Sequence, residues 1–155
     1  MTPAISALKQ SNVSFELLEY QHDASTTAYG LEVVEKLELN AEGVFKTLVL
    51  ETDKSQLVVA LVPVSAQLNL KKLAKGLRVK KVSMAPVKQV ENTTGYILGG
   101  VSPIGQKKRL PTLIDISAKQ LDIIYVSAGK RGLELALSPT DLAKMTRATF
   151  LDIAN

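Results

Sequence analysis

Strand-like and helix-like segments alternate irregularly along this chain, and their order constrains the fold more than any other feature. Two runs rich in β-forming residues, 44–50 and 57–62, flank the polar segment 51–56, a pattern that predicts a β-hairpin. Helix-like segments lie on both sides of this hairpin, so a regular series of βαβ units is not expected. We therefore predict an α/β fold of the α+β type, with a mixed sheet. The length of 155 residues fits a single domain over 1–155.

Local signals place the remaining elements. Thr2 and Pro3 suit the N-cap and first position of a helix that runs to about residue 10. Gly76 suits the end of a helix over residues 68–75, and Ser138 opens the last helix, which ends near residue 146. Other helices are predicted from residue 26 or 27 to 37 and over 86–94, and other strands over 13–20, 79–83, 96–98, 112–116, 123–127 and 133–137.

The composition excludes several kinds of active site. The chain has no cysteine, which excludes disulfides, a thiol nucleophile and thiolate-bound metals. Its one histidine, His22, lies in a polar stretch, so neither a His-rich metal site nor a Ser-His-Asp triad is expected. We predict no metal and no cofactor. No apolar run approaches membrane-spanning length and the N-terminus does not resemble a signal peptide, so we expect a cytoplasmic protein with no membrane partner.

The charge of the chain is unevenly distributed. Residues 1–50 have a net charge of −4, whereas residues 51–155 have a net charge of +8. A basic segment on a mixed chain suggests an anionic partner, and nucleic acid is the commonest one. A solvated lysine-rich surface is the alternative. The basic residues form two clusters, at Lys71, Lys72, Lys75, Arg78, Lys80 and Lys81 and at Lys107, Lys108 and Arg109.

Three local features have the composition of a binding site. Lys46 lies within an apolar strand-like run, and it either points to solvent or places an ammonium group in a cleft, where it could polarise a carbonyl or hold a phosphate. Residues 99–105 form a glycine-rich loop whose amide groups could approach an anion, although a plain turn has the same composition. Residues 127–132 form a second small-residue turn, which is also consistent with a simple hairpin.

Together these features resemble one family. The segments FKTL at 45–48, LNLKK at 68–72, TGYILGGVSPIGQKKR at 94–109 and YVSAGKRG at 125–132 are similar, in order and spacing, to the YbaK family. The similarity extends from the first residues nearly to the end of the chain. Members of that family release cysteine from mischarged proline tRNA and are related to the editing insertion of bacterial prolyl-tRNA synthetases.

The resemblance implies a compact domain with a strongly curved, partly barrel-like sheet flanked by helices. It implies Lys46 and Gly99 as catalytic residues, with Gly99 and Pro103 at the ends of the substrate loop. It also implies a set of substrate-binding residues, namely Tyr20, Thr47, Gly100, Val101, Ser102, Pro103, Ser127 and Arg131. The implied partners are mischarged tRNA(Pro) and prolyl-tRNA synthetase. The charge and position of the two basic clusters predict that they contact the acceptor stem of the tRNA near its aminoacyl end.

The resemblance also implies a mechanism. In the family the thiol of the substrate cysteine attacks its own carbonyl carbon, so the enzyme needs no nucleophile and instead stabilises the oxyanion. Related domains that remove alanine have an asparagine after the lysine and a histidine in the second loop. This chain has Thr47 and Ser127 there, which favours cysteine. A deacylase for alanine or other small amino acids, and a non-catalytic regulator that binds tRNA or a ligand, remain the alternatives.

Overall fold

The computed structural model describes residues 1–155, which form five α-helices, one 3₁₀ helix and eight β-strands. The helices are α1 (Pro3–Gln10), α2 (Tyr29–Leu37), α3 (Leu70–Leu77), α4 (Val87–Thr94) and α5 (Pro139–Thr146), with the 3₁₀ helix at Ile116–Gln120. The strands are β1 (Glu16–Glu19), β2 (Phe45–Thr52), β3 (Leu57–Pro63), β4 (Val82–Met84), β5 (Thr112–Asp115), β6 (Ile124–Ser127), β7 (Leu133–Leu137) and β8 (Thr149–Leu151). Not one of the helices has the length and apolar character that crossing a membrane requires.

The strands form two sheets. The larger has the order β4-β2-β3-β5-β8, and the smaller has the order β1-β7-β6. Pairing is antiparallel in the small sheet and between β4, β2 and β3, whereas β3, β5 and β8 are mutually parallel neighbours. The prediction of a mixed α/β fold is therefore confirmed.

The partly barrel-like shape expected of the sheet is not confirmed, because the strands form two sheets and neither is closed. The two sheets are linked by a single parallel bridge between Val44 and Tyr125, where the Tyr125 N–H donates to the Gly43 carbonyl over 2.9 Å. One edge of β2 pairs with β3, and the bridge to β6 lies on the other edge. On that second edge, the next paired residue is Leu50, which lies opposite Met84 of β4. Because β6 and β4 meet β2 at its two ends, the strands diverge between them instead of closing into a barrel.

Strand β2 links the three groups of buried side chains that make up the core. Its first residue, Phe45, packs in the group that contains the apolar face of α1. Leu50 packs with Leu73 of α3, whereas its neighbour Val49 packs with Val90 of α4. Successive side chains of a strand point to opposite faces, so β2 holds helices on both sides of the larger sheet.

The boundaries of α3 differ from those predicted. The side chain of Asn69 accepts a hydrogen bond from the Lys72 N–H over 3.0 Å, so the helix begins at Leu70 rather than at residue 68. Gly76 lies inside the helix, and Arg78 adopts the left-handed conformation that ends it, with φ of 59°. A Cβ at Gly76 would lie 2.1 Å from a methyl group of Leu151, so the Leu151 side chain would have to move to admit a larger residue.

One prediction about strands was wrong, and one strand was missed. Residues 96–98 form a turn, because the Tyr96 hydroxyl donates to the Ile104 carbonyl over 2.6 Å and the Leu98 N–H donates to the Glu91 carboxylate over 3.0 Å. Strand β8 was not predicted, since a three-residue strand has no periodicity that distinguishes it from a loop. In contrast, α1, α5 and β7 have the predicted boundaries.

Asp115 fastens the end of the chain to the larger sheet. Its buried carboxylate accepts hydrogen bonds from the N–H groups of Ile153 and Ala154, both over 3.1 Å, and from Ser117 over 3.2 Å. Burial alone would raise the pKa of Asp115, but these hydrogen bonds outweigh it and hold the pKa below its ordinary value of 3.8.

We predict that Asp115→Asn lowers the free energy of unfolding by about 1–3 kcal/mol, because it weakens hydrogen bonds to a charged acceptor. Urea denaturation at pH 7 measures this loss, with Asp122→Asn as an exposed control. A carboxyl group with a lowered pKa stabilises the fold fully when the pH is above its ordinary pKa. This stabilisation is lost as the pH falls through the lower pKa that the group has in the folded protein. The difference between wild type and variant should therefore narrow below pH 3.8, and a constant difference would contradict the assignment.

Candidate functional site

A cavity of about 410 Å³ opens where the two sheets diverge. It lies beside the edge of β2, between the bridge at Val44 and the pairing with β4 that begins at Leu50. Its walls come from β2, the start of α2, the glycine loop and the β6–β7 hairpin. The polar or small residues in these walls include Tyr20, Thr27, Lys46, Thr47, Gly99, Ser127 and Glu134. Most of the other lining residues are apolar.

Lys46 is half-buried in the wall formed by β2. It lies opposite Val62 in the β2–β3 pairing, and Leu48, on the same face, also lines the cavity. The Lys46 ammonium pairs with no carboxylate, unlike those of Lys36 and Lys72. A cationic group that is half-removed from water and has no partner is available to interact with an anionic or carbonyl oxygen of a ligand.

Thr47 presents uncommitted polar groups beside this lysine. Its Oγ1 is buried and has no hydrogen-bond partner. The Val49 carbonyl accepts a hydrogen bond from the Ala85 N–H over 3.1 Å. It therefore points to the edge of β2 that lies away from β3. Backbone groups of alternate residues point to the same side of a strand, and the N–H and C=O of Thr47 therefore face this edge as well. No strand pairs with Thr47 there.

Glu134, which the sequence analysis did not single out, is the acidic residue of the cavity. It lies on β7 directly opposite Ser127 of β6, and both side chains line the cavity. Glu134 is only 4% exposed, and no hydrogen bond or opposite charge from the protein offsets the burial of its carboxyl group. Burial raises its pKa to about 8. Aligning the two strands of this hairpin from the sequence would have placed Glu134 beside Ser127.

Tyr20 forms part of the wall between β1 and α2. Its pKa is raised above its ordinary value, chiefly by burial and in addition by the nearby charges of Glu134 and Glu32. The phenol is therefore neutral at physiological pH and can donate as well as accept a hydrogen bond.

The glycine loop faces the cavity through only part of its length. Gly99 and Val101 line the cavity, whereas Gly100, Ser102 and Pro103 are buried behind it. The Gly100 N–H donates to the Ile97 carbonyl over 2.8 Å, so it is engaged within the loop. The N–H groups of Gly99 and Val101 donate to no protein atom. These two amides are thus the available donors of the loop.

Arg131 does not line the cavity but contacts the loop from behind. Its Nε and Nη2 donate to the Leu98 carbonyl over 3.0 and 2.6 Å. Its guanidinium group lies over the ring of Tyr29, 4.7 Å from the centroid. The side chain predicted to bind substrate is therefore engaged with protein groups of two cavity walls.

The two basic clusters lie outside the cavity. In the first, Lys72 pairs with Asp152 over 3.0 Å and donates to the Ala154 carbonyl, while the remaining members, Lys71, Lys75, Arg78, Lys80 and Lys81, are exposed. The members of the second, Lys107, Lys108 and Arg109, are also exposed. Arg109 and Pro103 line a separate depression near α5. The basic clusters are consequently not part of the cavity.

Comparison with known proteins shows that the chain belongs to a family of tRNA-editing domains. A family model of the aminoacyl-tRNA editing domain matches residues 24–145. The chain is 42% identical over 153 residues to an Enterococcus faecalis protein named "Putative Cys-tRNA(Pro)/Cys-tRNA(Cys) deacylase EbsC", covering 98% of this chain and 92% of that protein. It is 21% identical over 137 residues to the Bacillus subtilis protein named "Uncharacterized protein YwhH", covering 88% of this chain and 85% of that protein.

A solved structure has the same fold. The crystal structure described as a putative trans-editing enzyme for prolyl tRNA synthetase superposes with a TM-score of 0.87 at 21% identity, covering 99% of this chain and 95% of that one. At this identity the similarity establishes the fold.

The raised pKa of Glu134 leads to a prediction about stability. The ordinary pKa of the Glu134 carboxyl group is 4.5, and its pKa in the folded protein is about 8. Between these two pH values the folded protein keeps a proton on Glu134 that the unfolded chain has released. Wild-type stability should therefore fall as the pH rises through this range. Glu134→Gln cannot ionise, so its stability relative to wild type should increase from pH 5 to pH 8 in urea denaturation. Glu16→Gln, on the exposed face of β1, serves as the control, and an unchanged difference would show that Glu134 is ionised in the folded protein.

Proposed function

Because the chain belongs to the aminoacyl-tRNA editing domain family and is thus an aminoacyl-tRNA deacylase, we propose that it removes cysteine from mischarged Cys-tRNA(Pro). One observation supports this above the others: Lys46 and the free amides of the glycine loop open onto one cavity. The name of the 42% identical relative supports cysteine as the amino acid. We further propose that residues 1–155 act as one deacylase domain.

The aminoacyl group would be oriented by its charge. An esterified amino acid has an α-ammonium group, and Glu134 is the acidic side chain in the wall. Binding of the ammonium would favour the ionised carboxylate, because an opposite charge nearby lowers the pKa of an acid. The Tyr20 phenol and the Ser127 hydroxyl, both in the cavity, would provide further hydrogen bonds to the substrate.

Other groups of the cavity would stabilise the negative charge that develops on the carbonyl oxygen of the ester. The amides of Gly99 and Val101 are free to donate, and the Lys46 ammonium adds a positive charge. Groups that are already oriented stabilise a transition state without reorganising during the reaction. The N–H and C=O of Thr47, which face the unpaired edge of β2, would gain partners in the same complex.

We propose that the nucleophile belongs to the substrate. The thiol sulfur of the esterified cysteine forms a bond to its own carbonyl carbon, and the bond from this carbon to the ribose oxygen breaks. The thiol proton ends on the ribose oxygen, so the products are a cyclic thiolactone and tRNA with a free terminal hydroxyl group. The thiolactone then adds water to give cysteine. The enzyme contributes position and charge stabilisation.

The body of the tRNA would be held by the exposed basic residues. Lys71, Lys75 and the second cluster lie outside the cavity, where they could contact phosphates of the acceptor stem. Lys72 is the exception, because Asp152 already neutralises it. We propose that prolyl-tRNA synthetase supplies the selection of tRNA(Pro), since phosphate contacts position a nucleic acid without identifying it.

Lys46→Ala should lower deacylation of Cys-tRNA(Pro) by about 100-fold or more, the usual effect of removing one stabilising group from an oxyanion site. Release of amino acid is measured on a panel of mischarged tRNAs, with and without prolyl-tRNA synthetase. Lys54→Ala, at the exposed turn between β2 and β3, is the matched control and should retain activity. Urea denaturation checks that Lys46→Ala is folded. Full activity of a folded Lys46→Ala would exclude this lysine from the mechanism.

The nature of the nucleophile is tested with one tRNA and two amino acids. Under single-turnover conditions, Cys-tRNA(Pro) should be cleaved far faster than Ser-tRNA(Pro), because a hydroxyl is a much poorer nucleophile than a thiol at neutral pH. Mass spectrometry should detect the thiolactone early in the reaction with Cys-tRNA(Pro). Equal rates for the two substrates, with no thiolactone, would indicate an activated water molecule instead.

A further inference from the structure

Leu98, the residue before Gly99, is held in place through both its N–H and its carbonyl group. The Leu98 N–H donates to the Glu91 carboxylate over 3.0 Å. Its carbonyl accepts both Nε and Nη2 of Arg131 over 3.0 and 2.6 Å. Hydrogen bonds with a charged partner are stronger than those between neutral groups, and a guanidinium group that donates twice also fixes direction. Leu98 is therefore held firmly at the point where the glycine loop begins.

Fixing the Leu98 carbonyl also fixes the N–H of Gly99. These two groups belong to one peptide unit, which is planar and trans, so they point in opposite directions. The Leu98 carbonyl points to Arg131, and the Gly99 N–H therefore points away from it. That N–H donates to no protein atom, and Gly99 lines the cavity. The guanidinium charge also polarises the peptide unit, which strengthens the N–H as a donor.

The position of Arg131 is itself fixed by close packing. Its guanidinium group lies 4.7 Å from the centre of the Tyr29 ring at the start of α2. A Cβ on Gly99 would lie 2.6 Å from Arg131 Nε and 2.8 Å from Tyr29 Cζ. Arg131 thus fills the space between two walls of the cavity, and no part of it lines the cavity.

We propose that Arg131 is a positioning residue, which acts through the Leu98–Gly99 peptide to orient and strengthen the Gly99 N–H as an oxyanion donor. This inference rests on the proposed deacylase function. It differs from the role in substrate binding that the sequence analysis expected, because both contacts of the guanidinium group are with protein. The two roles predict different kinetics.

The test compares Arg131→Ala and Arg131→Lys in deacylation of Cys-tRNA(Pro). If Arg131 acts through the peptide, both variants lower kcat by at least about tenfold, since lysine cannot reproduce the planar fork. KM and its dependence on salt concentration should remain close to wild type. Lys130→Ala, an adjacent exposed residue with the same change of charge, is the control and should leave kcat and KM unchanged.

Two further measurements separate positioning from a loss of fold. Added guanidinium at non-denaturing concentration should restore part of the kcat of Arg131→Ala and nothing in Lys46→Ala. The NMR amide resonance of Gly99 should shift in both Arg131 variants, while those of α5 remain in place. The proposal is overturned if Arg131→Ala retains wild-type kcat, or if it raises KM and weakens the salt dependence while Arg131→Lys restores both. Inactive wild-type enzyme would instead refute the proposed function.

Discussion

The unpaired edge of β2 is the feature on which the rest of the site depends. This strand pairs with β3 along its length, but on its other side it meets β6 only at Val44 and β4 only from Leu50 onward. The two neighbours leave β2 in different directions, so the segment between them has no strand partner. Interior backbone groups without a partner are costly, so the groups of this segment require water or a ligand in the cavity as hydrogen-bond partners. Lys46 and Thr47 lie in this segment.

Buried polar groups in this protein fall into two kinds, according to whether the protein itself satisfies them. Glu32 of α2 is buried and accepts from His22, the Asp23 N–H and Lys36. Burial would raise the pKa of Glu32, but these partners keep it below its ordinary value. Glu134 and the Thr47 hydroxyl have no such partners. Groups of the first kind stabilise the fold, whereas the Glu134 carboxyl group lies in the cavity wall without a protein partner.

The sequence predicted those parts of the structure that local chemistry determines. The Thr2 and Ser138 caps accept from Ile5 and Asp141, and the helices that they open have the predicted boundaries. Features that depend on distant contacts were missed. The turn at residues 96–98 requires Glu91 and Ile104, and Glu134 lies between leucines as a solvent-facing residue of a strand would. Only the three-dimensional structure shows that the Glu134 side chain is buried in the wall of the cavity.

The glycine loop shows why a motif alone does not define how a residue acts. Gly99 has φ of 87°, which a glycine adopts without strain, and this alone would explain its presence as a turn residue. The space around it adds a second requirement, because a Cβ would collide with Arg131 and Tyr29. The absence of a side chain is what allows the guanidinium group to approach the preceding carbonyl. Gly99 and Arg131, which are far apart in sequence, are therefore parts of one structural unit.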